Sequence, residues 1–152
     1  MNLDELRKLA GIKLKEEHKG PGFVTNIEQD TVENTDFRRE LYTTPHTQLV
    51  LMSIEPGSEI GMETHDDLAQ FIRVDAGEGY VVMDGVRTPI KDGFAIIIPE
   101  NTEHNVVNTG SEPLKLYTLY SPPHHENDVV HPTRADAQAD DEHWGGPEDT
   151  DT

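Results

Sequence analysis

The sequence predicts an all-β fold: an antiparallel jelly-roll barrel, preceded by a short N-terminal helix and followed by a mobile acidic C-terminal tail. Three observations carry this. Between Phe23 and Tyr120 short β-prone runs are broken by turn residues, with no room for the helical crossovers that a parallel sheet needs. Asp84-Gly85, set between Val81-Val82-Met83 and Val86, is a two-residue hairpin signal, because a type I′ turn requires positive φ at both central positions. After Pro122-Pro123 the apolar content collapses. Residues 135–152 hold seven acids, no Lys or Arg, and Trp144 as the single large apolar group. Such a segment cannot offset its ordering entropy by burial.

Taken in order, residues 2–10 read as one helix. Asn2 can cap its free amides with Glu5 three positions on, Leu3, Leu6 and Ala10 share a face, and Gly11 ends it. A helix this short holds only when docked on the main body or on a partner subunit. Residues 13–22, charged and punctuated by Gly and Pro, are a connector. Strands are expected at 23–27, 37–42, 48–54, 70–75, 79–83, 86–90, 94–98, 104–107 and 114–120, with further turns at Lys91-Asp92-Gly93 and Asn108-Thr109-Gly110. The organisation is therefore a helix and connector over 1–22, one barrel domain over 23–122, and an acidic tail over 123–152. A double-sheet jelly roll is the leading architecture for so many short antiparallel strands.

Composition narrows the function. A chain of 152 residues is long enough for one real core. With 30 Asp and Glu against 12 Lys and Arg, its formal charge of −18 repels phosphate backbones and anionic membranes, which excludes nucleic acid and lipid surfaces as partners. The absence of Cys rules out disulfides and thiolate sites. Nothing resembles a signal peptide or a bilayer-spanning run of about 20 apolar residues, so a cytoplasmic protein is expected.

The chemistry is concentrated in two strings, residues 56–79 and 92–108. In the first, Gly57, Glu63, His65, Gln70 and Gly77 follow one another at fixed offsets; in the second, Gly93, Pro99, Asn101, His104 and Asn108 do so. Glu63 and His65 are two apart and so share a face of an extended segment, while Gln70 and His104 open strands. These ligand-capable groups converge only if the strands are neighbours in a closed β-fold.

At those positions the chain resembles the cupin family, whose motifs G-x5-H-x-H-x3,4-E-x6-G and G-x5-P-x-G-x2-H-x3-N fit the spacing throughout. The resemblance implies a double-stranded β-helix, a divalent metal inside the barrel and a homodimer, whose interface would use residues 2–10 and 23–27. By position, the implied metal ligands are Glu63, His65, Gln70 and His104. Three residues depart from the pattern. Asn101 replaces Gly, and among non-glycine residues Asn best tolerates left-handed backbone. Glu63 replaces the first His and Gln70 the Glu, so one carboxylate remains among the ligands and their total charge is unchanged. Without Gln70, the set is still two His and one carboxylate with open positions, which suits Fe, Mn, Zn or Ni; one such ion per chain is expected. A glutamine at position 70 also resembles the small sugar-acid cupin that opens the ring of unsaturated uronates, although this chain lacks the first His of that site.

The resulting expectation is a metal-dependent enzyme acting on a small oxygen-rich substrate such as a sugar acid, keto acid or diol, of isomerase, lyase or dioxygenase type. Glu63 is the one candidate general base. The alternative is a non-catalytic cupin that binds a small ligand or serves structurally, in which Glu63, His65 and His104 are ordinary polar residues. Other polar groups carry less. His46 reads as a loop residue beside Pro45, and His124, His125 and His131 as an exposed linker. Tyr80, Tyr117 and Tyr120 are candidate pocket-lining residues, while alternation sends Arg73 away from inward Ile72 and Val74, towards an ion-pair or subunit-interface role.

Overall fold

The structure, a computed structural model, describes residues 22–143. The expected helix at 2–10 and the end of the acidic tail lie outside the described residues. In chain order the elements are α1 (Ile27–Glu33), β1 (Arg38–Thr43), β2 (Gln48–Ile54), β3 (Ala69–Ala76), β4 (Glu78–Met83), β5 (Val86–Lys91), β6 (Ala95–Ile98), β7 (His104–Asn108), β8 (Leu114–Ser121), β9 (Val130–His131) and α2 (Arg134–Ala139). One six-stranded sheet runs β6-β3-β8-β2-β1-β9 and one three-stranded sheet runs β5-β4-β7, every pairing antiparallel. Among the described residues no helix is long and apolar enough to cross a membrane.

The β4–β5 hairpin turns on Asp84 and Gly85 at φ 48° and 83°, the positive pair that a type I′ turn demands. Gly77, between β3 and β4, sits at φ 89°, and a Cβ there would lie 2.7 Å from the Pro113 carbonyl oxygen. Only glycine meets both conditions. Eight of the nine expected strands form.

The ninth, at 23–27, does not. Asn26 instead caps α1 by accepting a hydrogen bond from the Gln29 amide at 3.2 Å, and Glu28 and Asp30 place negative charge in the first turn. Here local capping outcompetes the β propensity of Phe23, Val24 and Ile27, because among the described residues no strand pairs with the segment. A second correction concerns residues 123–143, expected as part of a mobile tail. They fold back on the barrel: β9 pairs with β1, and α2 begins at a Thr133–Asp136 capping box. His125 and His131, expected in an exposed linker, are each 4 % exposed.

The core lies between the sheets and changes character along its length. On β8 the inward residues read Leu114, Leu116, Thr118, Tyr120; on β2, in the antiparallel sense, Ile54, Met52, Val50, Gln48; on β3, Val74, Ile72, Gln70. Paired residues on neighbouring antiparallel strands share a face, so Gln48, Tyr120 and Gln70, which pair in one row, cluster at one end of the barrel. The other end is hydrocarbon.

Candidate metal centre

The polar end is completed by the irregular segment before β3, which is fastened along β7. The Ile60 amide donates to the Val106 carbonyl at 2.9 Å, and Glu63 and His104 exchange both amide-to-carbonyl bonds at 2.9 Å. That reciprocal pair sets the two side chains directly opposite each other. Met62 and Thr64 are exposed while Glu63 and His65 turn inward, the two-residue period expected of extended chain. The His65 carbonyl accepts from the Asn101 amide at 2.7 Å, and Asn101 holds φ 61°, so the family's glycine position does use left-handed backbone. Asn108 bonds the Ile54 and Glu112 carbonyls and accepts from the Gly110 amide, tying the apolar ends of three loops together.

One donor atom from each of Glu63, His65 and His104 lies within 4.8 Å of the others, and His65 Nε2 is 3.7 Å from Glu63 Oε1. At 3.7 Å this is an electrostatic contact rather than a hydrogen bond. Ligands about 2.1 Å from a shared ion stand roughly 3–4 Å apart, so the cluster needs only a small contraction to close on one. His104 donates from Nδ1 to the Thr102 carbonyl at 2.8 Å, which leaves the lone pair on Nε2. That is the arrangement by which proteins orient a metal-binding imidazole. Nε2 of His65, Nε2 of His104 and Oε1 of Gln70 are all buried with no hydrogen-bond partner. Leaving buried polar atoms bare costs free energy, which a cation bound by the imidazole nitrogens would return. The donor set therefore fits a divalent metal.

Two glutamines sharpen the point. Gln48 uses everything it has: Nε2 donates to Thr43 Oγ1 and the His125 carbonyl, and Oε1 accepts from the amides of His124 and His125. Gln70 uses only Nε2, which donates to Thr118 Oγ1 at 3.0 Å. Its oxygen is buried with no partner.

Burial alone would raise the Glu63 pKa, but the close contact with His65, and the charges of Arg38 and His104, bring it below the ordinary carboxylate range. Glu63 is thus ionised at neutral pH, as a ligand must be. His124 packs edge-on against His65 with ring centroids 4.5 Å apart, and burial together with its histidine neighbours lowers its pKa to about 4. It is a neutral imidazole beside the cluster. Tyr120 is the hub of this aromatic group, 6.5 Å from His65, 5.6 Å from His124 and 5.2 Å from His125 by ring centroid.

Of the remaining candidates, Tyr80 and Tyr117 are not at the site. Arg87 stacks over the Tyr80 ring at 3.8 Å, and Tyr117 faces outward onto Phe71. Arg73 pairs with buried Asp75 at 3.5 Å, consistent with the ion-pair role, and His46 is exposed in the Thr44–Thr47 turn. Sequence reasoning missed Arg38 and Glu142. Glu142 accepts from His125 Nδ1 at 2.7 Å and from the Glu126 amide, which anchors the far end of the returning segment. Arg38 was hidden by parity. Phe37 and Leu41 suggest that their own face is the buried one, yet Arg38 and Glu40 pair with Met52 and Val50 and so point inward. A register shift between Glu40 and Tyr42 turns Arg38 and Glu40 inward together with Thr43, while Arg39 on the other face stays exposed.

A family profile described as "Cupin domain" matches residues 50–120, which span both motif strings. The structure of BH2720 from Bacillus halodurans shares 48% identity, covers 80% of this chain and 97% of that one, and superposes with a TM-score of 0.78. This chain belongs to the cupin superfamily. It is a cupin of the small, single-barrel kind. YrkC of Bacillus subtilis is 44% identical over 123 residues, covering 77% of this cupin and 66% of YrkC, so the chain spans just under two thirds of that relative's length. KdgF from Halomonas sp. is 26% identical, with 66% of this chain and 93% of that chain covered and a TM-score of 0.55. Those likenesses extend the jelly-roll assignment over most of the described residues.

Proposed function

We propose that this cupin is a metal-dependent enzyme acting on a small oxygen-rich substrate, a sugar acid, keto acid or diol, in an isomerase, lyase or dioxygenase reaction. The observation that carries the reading is the convergence of ligand atoms from His65, His104 and an ionised Glu63 within 4.8 Å of one another, with Gln70 Oε1 a further buried acceptor that has no partner. Glu63, His65 and His104 would hold the ion, with Gln70 as a fourth ligand through Oε1. When bound, the ion supplies a Lewis acid that polarises substrate oxygens. The chain's residues supply the rest. Glu63 brings the one negative charge of the ligand set and is the candidate proton acceptor. Thr118 orients the Gln70 amide, Thr102 fixes the His104 tautomer, and His124 with Tyr120 wall the cluster from water. A cytoplasmic homodimer completes the proposal; a monomeric mass by light scattering at micromolar concentration would contradict the dimer.

Elemental analysis of freshly purified protein is expected to give close to one divalent ion per chain. His65→Ala and His104→Ala should each lose it, and full stoichiometry in both variants would end the metal reading. A metal-loaded screen of sugar acids, keto acids and phenolic diols, with oxygen uptake followed, separates catalysis from binding. Turnover abolished in His65→Ala supports the enzyme; thermal shifts without turnover identify a binding protein instead.

A further inference from the structure

Arg38 is the least explained charge in the molecule. It is 8 % exposed, it points into the barrel from β1, and its Nε–H is buried with no hydrogen-bond partner. One terminal nitrogen donates a long 3.4 Å bond to His131 Nδ1, whose other nitrogen is held 2.9 Å from Asp140. The guanidinium lies near enough to act on the Tyr120 hydroxyl and sits 5.2 Å from the centroid of the Phe37 ring. Among the described residues it makes no carboxylate ion pair. Glu63 and Glu142 feel its charge, but neither touches it. Five N–H donors in a rigid planar fork thus have one long bond, to a neutral acceptor.

A group of this kind is nearly always paired, because a buried unmatched cation is costly. A metal does not meet the need, since it takes up only the bare acceptors. Filling the centre in fact adds positive charge beside the guanidinium. What the geometry lacks is a planar anion with two oxygens, and Nε–H together with a terminal N–H is the edge of Arg that binds a carboxylate in two parallel bonds.

We propose that Arg38, braced by Tyr120 and His131, is the carboxylate anchor of the site, and that the ligand is a small carboxylic acid carrying a hydroxyl or keto oxygen. The acid group lies on Arg38. The neighbouring oxygen lies towards the Glu63–His65–His104 cluster, a second grip that rests on the metal reading. Arg38 is here a binding and specificity residue. Its Nε–H gives a resolvable signal in the folded protein that does not depend on turnover.

The test follows the 15N-labelled Arg38 Nε–H resonance while glycolate, pyruvate or the neutral amide glycolamide is added to chelator-treated and zinc-loaded protein, with affinities measured by calorimetry. Saturable movement with both acids and none with the amide is expected, in both metal states. Arg38→Met should weaken acid binding by at least about ten-fold, the loss of a charge-assisted bidentate pair, while zinc stoichiometry stays unchanged. Where that variant fails to fold, Arg38→Lys is read instead; it keeps the charge, loses the fork, and should still bind several-fold more weakly. Equal response to acid and amide, no response to either acid up to about 50 mM, or undiminished acid binding in the folded variant overturns the proposal. Response in chelated protein that binds no zinc keeps the anchor and discards the metal reading, so the two fail separately.

Discussion

The two ends of the barrel share β2, β3 and β8 and behave as different materials. At one end Ile54, Met52, Val74, Leu114 and Leu116 are each completely buried, and the strands hold together by excluding water. At the other end Gln48, Gln70, Thr118, Tyr120 and His104 are almost as buried, yet they present polar atoms to one another. The apolar end is satisfied as it stands. The polar end is satisfied on the side of Gln48 and bare on the side of Gln70, and that asymmetry separates structure from function within a few residues of the same rows. Burial by itself does not distinguish a core from a site; unmet hydrogen bonds do.

The sharpest break in this comparison comes from the apolar end. Met52→Ala should lower unfolding free energy by about 2–5 kcal/mol in chemical denaturation, with metal stoichiometry of the surviving folded protein unaltered. Next, Gln48→Leu should cost about 3 kcal/mol, because the amides of His124 and His125 and the His125 carbonyl lose their partners in the barrel. Gln70→Leu, a change of the same kind in the same row, should shift the stability of metal-free protein by no more than about 1 kcal/mol, since loss of the Thr118 bond is offset by removal of a bare oxygen. Its effect should appear in metal affinity. Equal costs for the two glutamine variants would erase the distinction between them.

The smallest effect is that of pH on the metal-free protein. His124 and His125 have lowered pKa values, chiefly through burial, so the unfolded chain binds more protons than the folded one below the ordinary histidine pKa of 6.5. Their contribution is complete above that value. It declines as the pH falls towards about 4, the value for His124. Glu142, lowered by its bond to His125 against the raising effect of burial, acts in the same direction at the acid end of this window. Thermal melting followed from pH 7 to about pH 4 should therefore show a steady loss, and a flat profile would mean that the returning segment is not packed as described.

The strands were legible because their signals are local: β-prone runs, the Asp84-Gly85 turn, and glycine where backbone approaches backbone at Gly77. The motif residues Glu63, His65 and His104 were legible because strand geometry converts fixed spacing into convergence. Arg38 was not, since its direction depends on a register shift in β1 and on a strand contributed from more than ninety positions away. His125 and Glu142 were hidden for a related reason. An acidic, proline-bounded stretch carries the composition of a free tail, and long-range contacts such as the Gln48 amide bonds and the pairing of β9 with β1 hold it on the barrel. Asn26 shows the converse, a cap strong enough to make a helix where residue preference pointed to a strand.

Gln48 has a further consequence for how this chain tolerates editing. Because all four of its hydrogen bonds are spoken for and three of them reach across the Pro122-Pro123 step, the natural-looking place to trim the protein is a seam bonded across both sides. A version ending at Ser121 would retain eight strands and lose the ceiling over Arg38 and Tyr120, opening to water the one compartment whose chemistry depends on keeping water out.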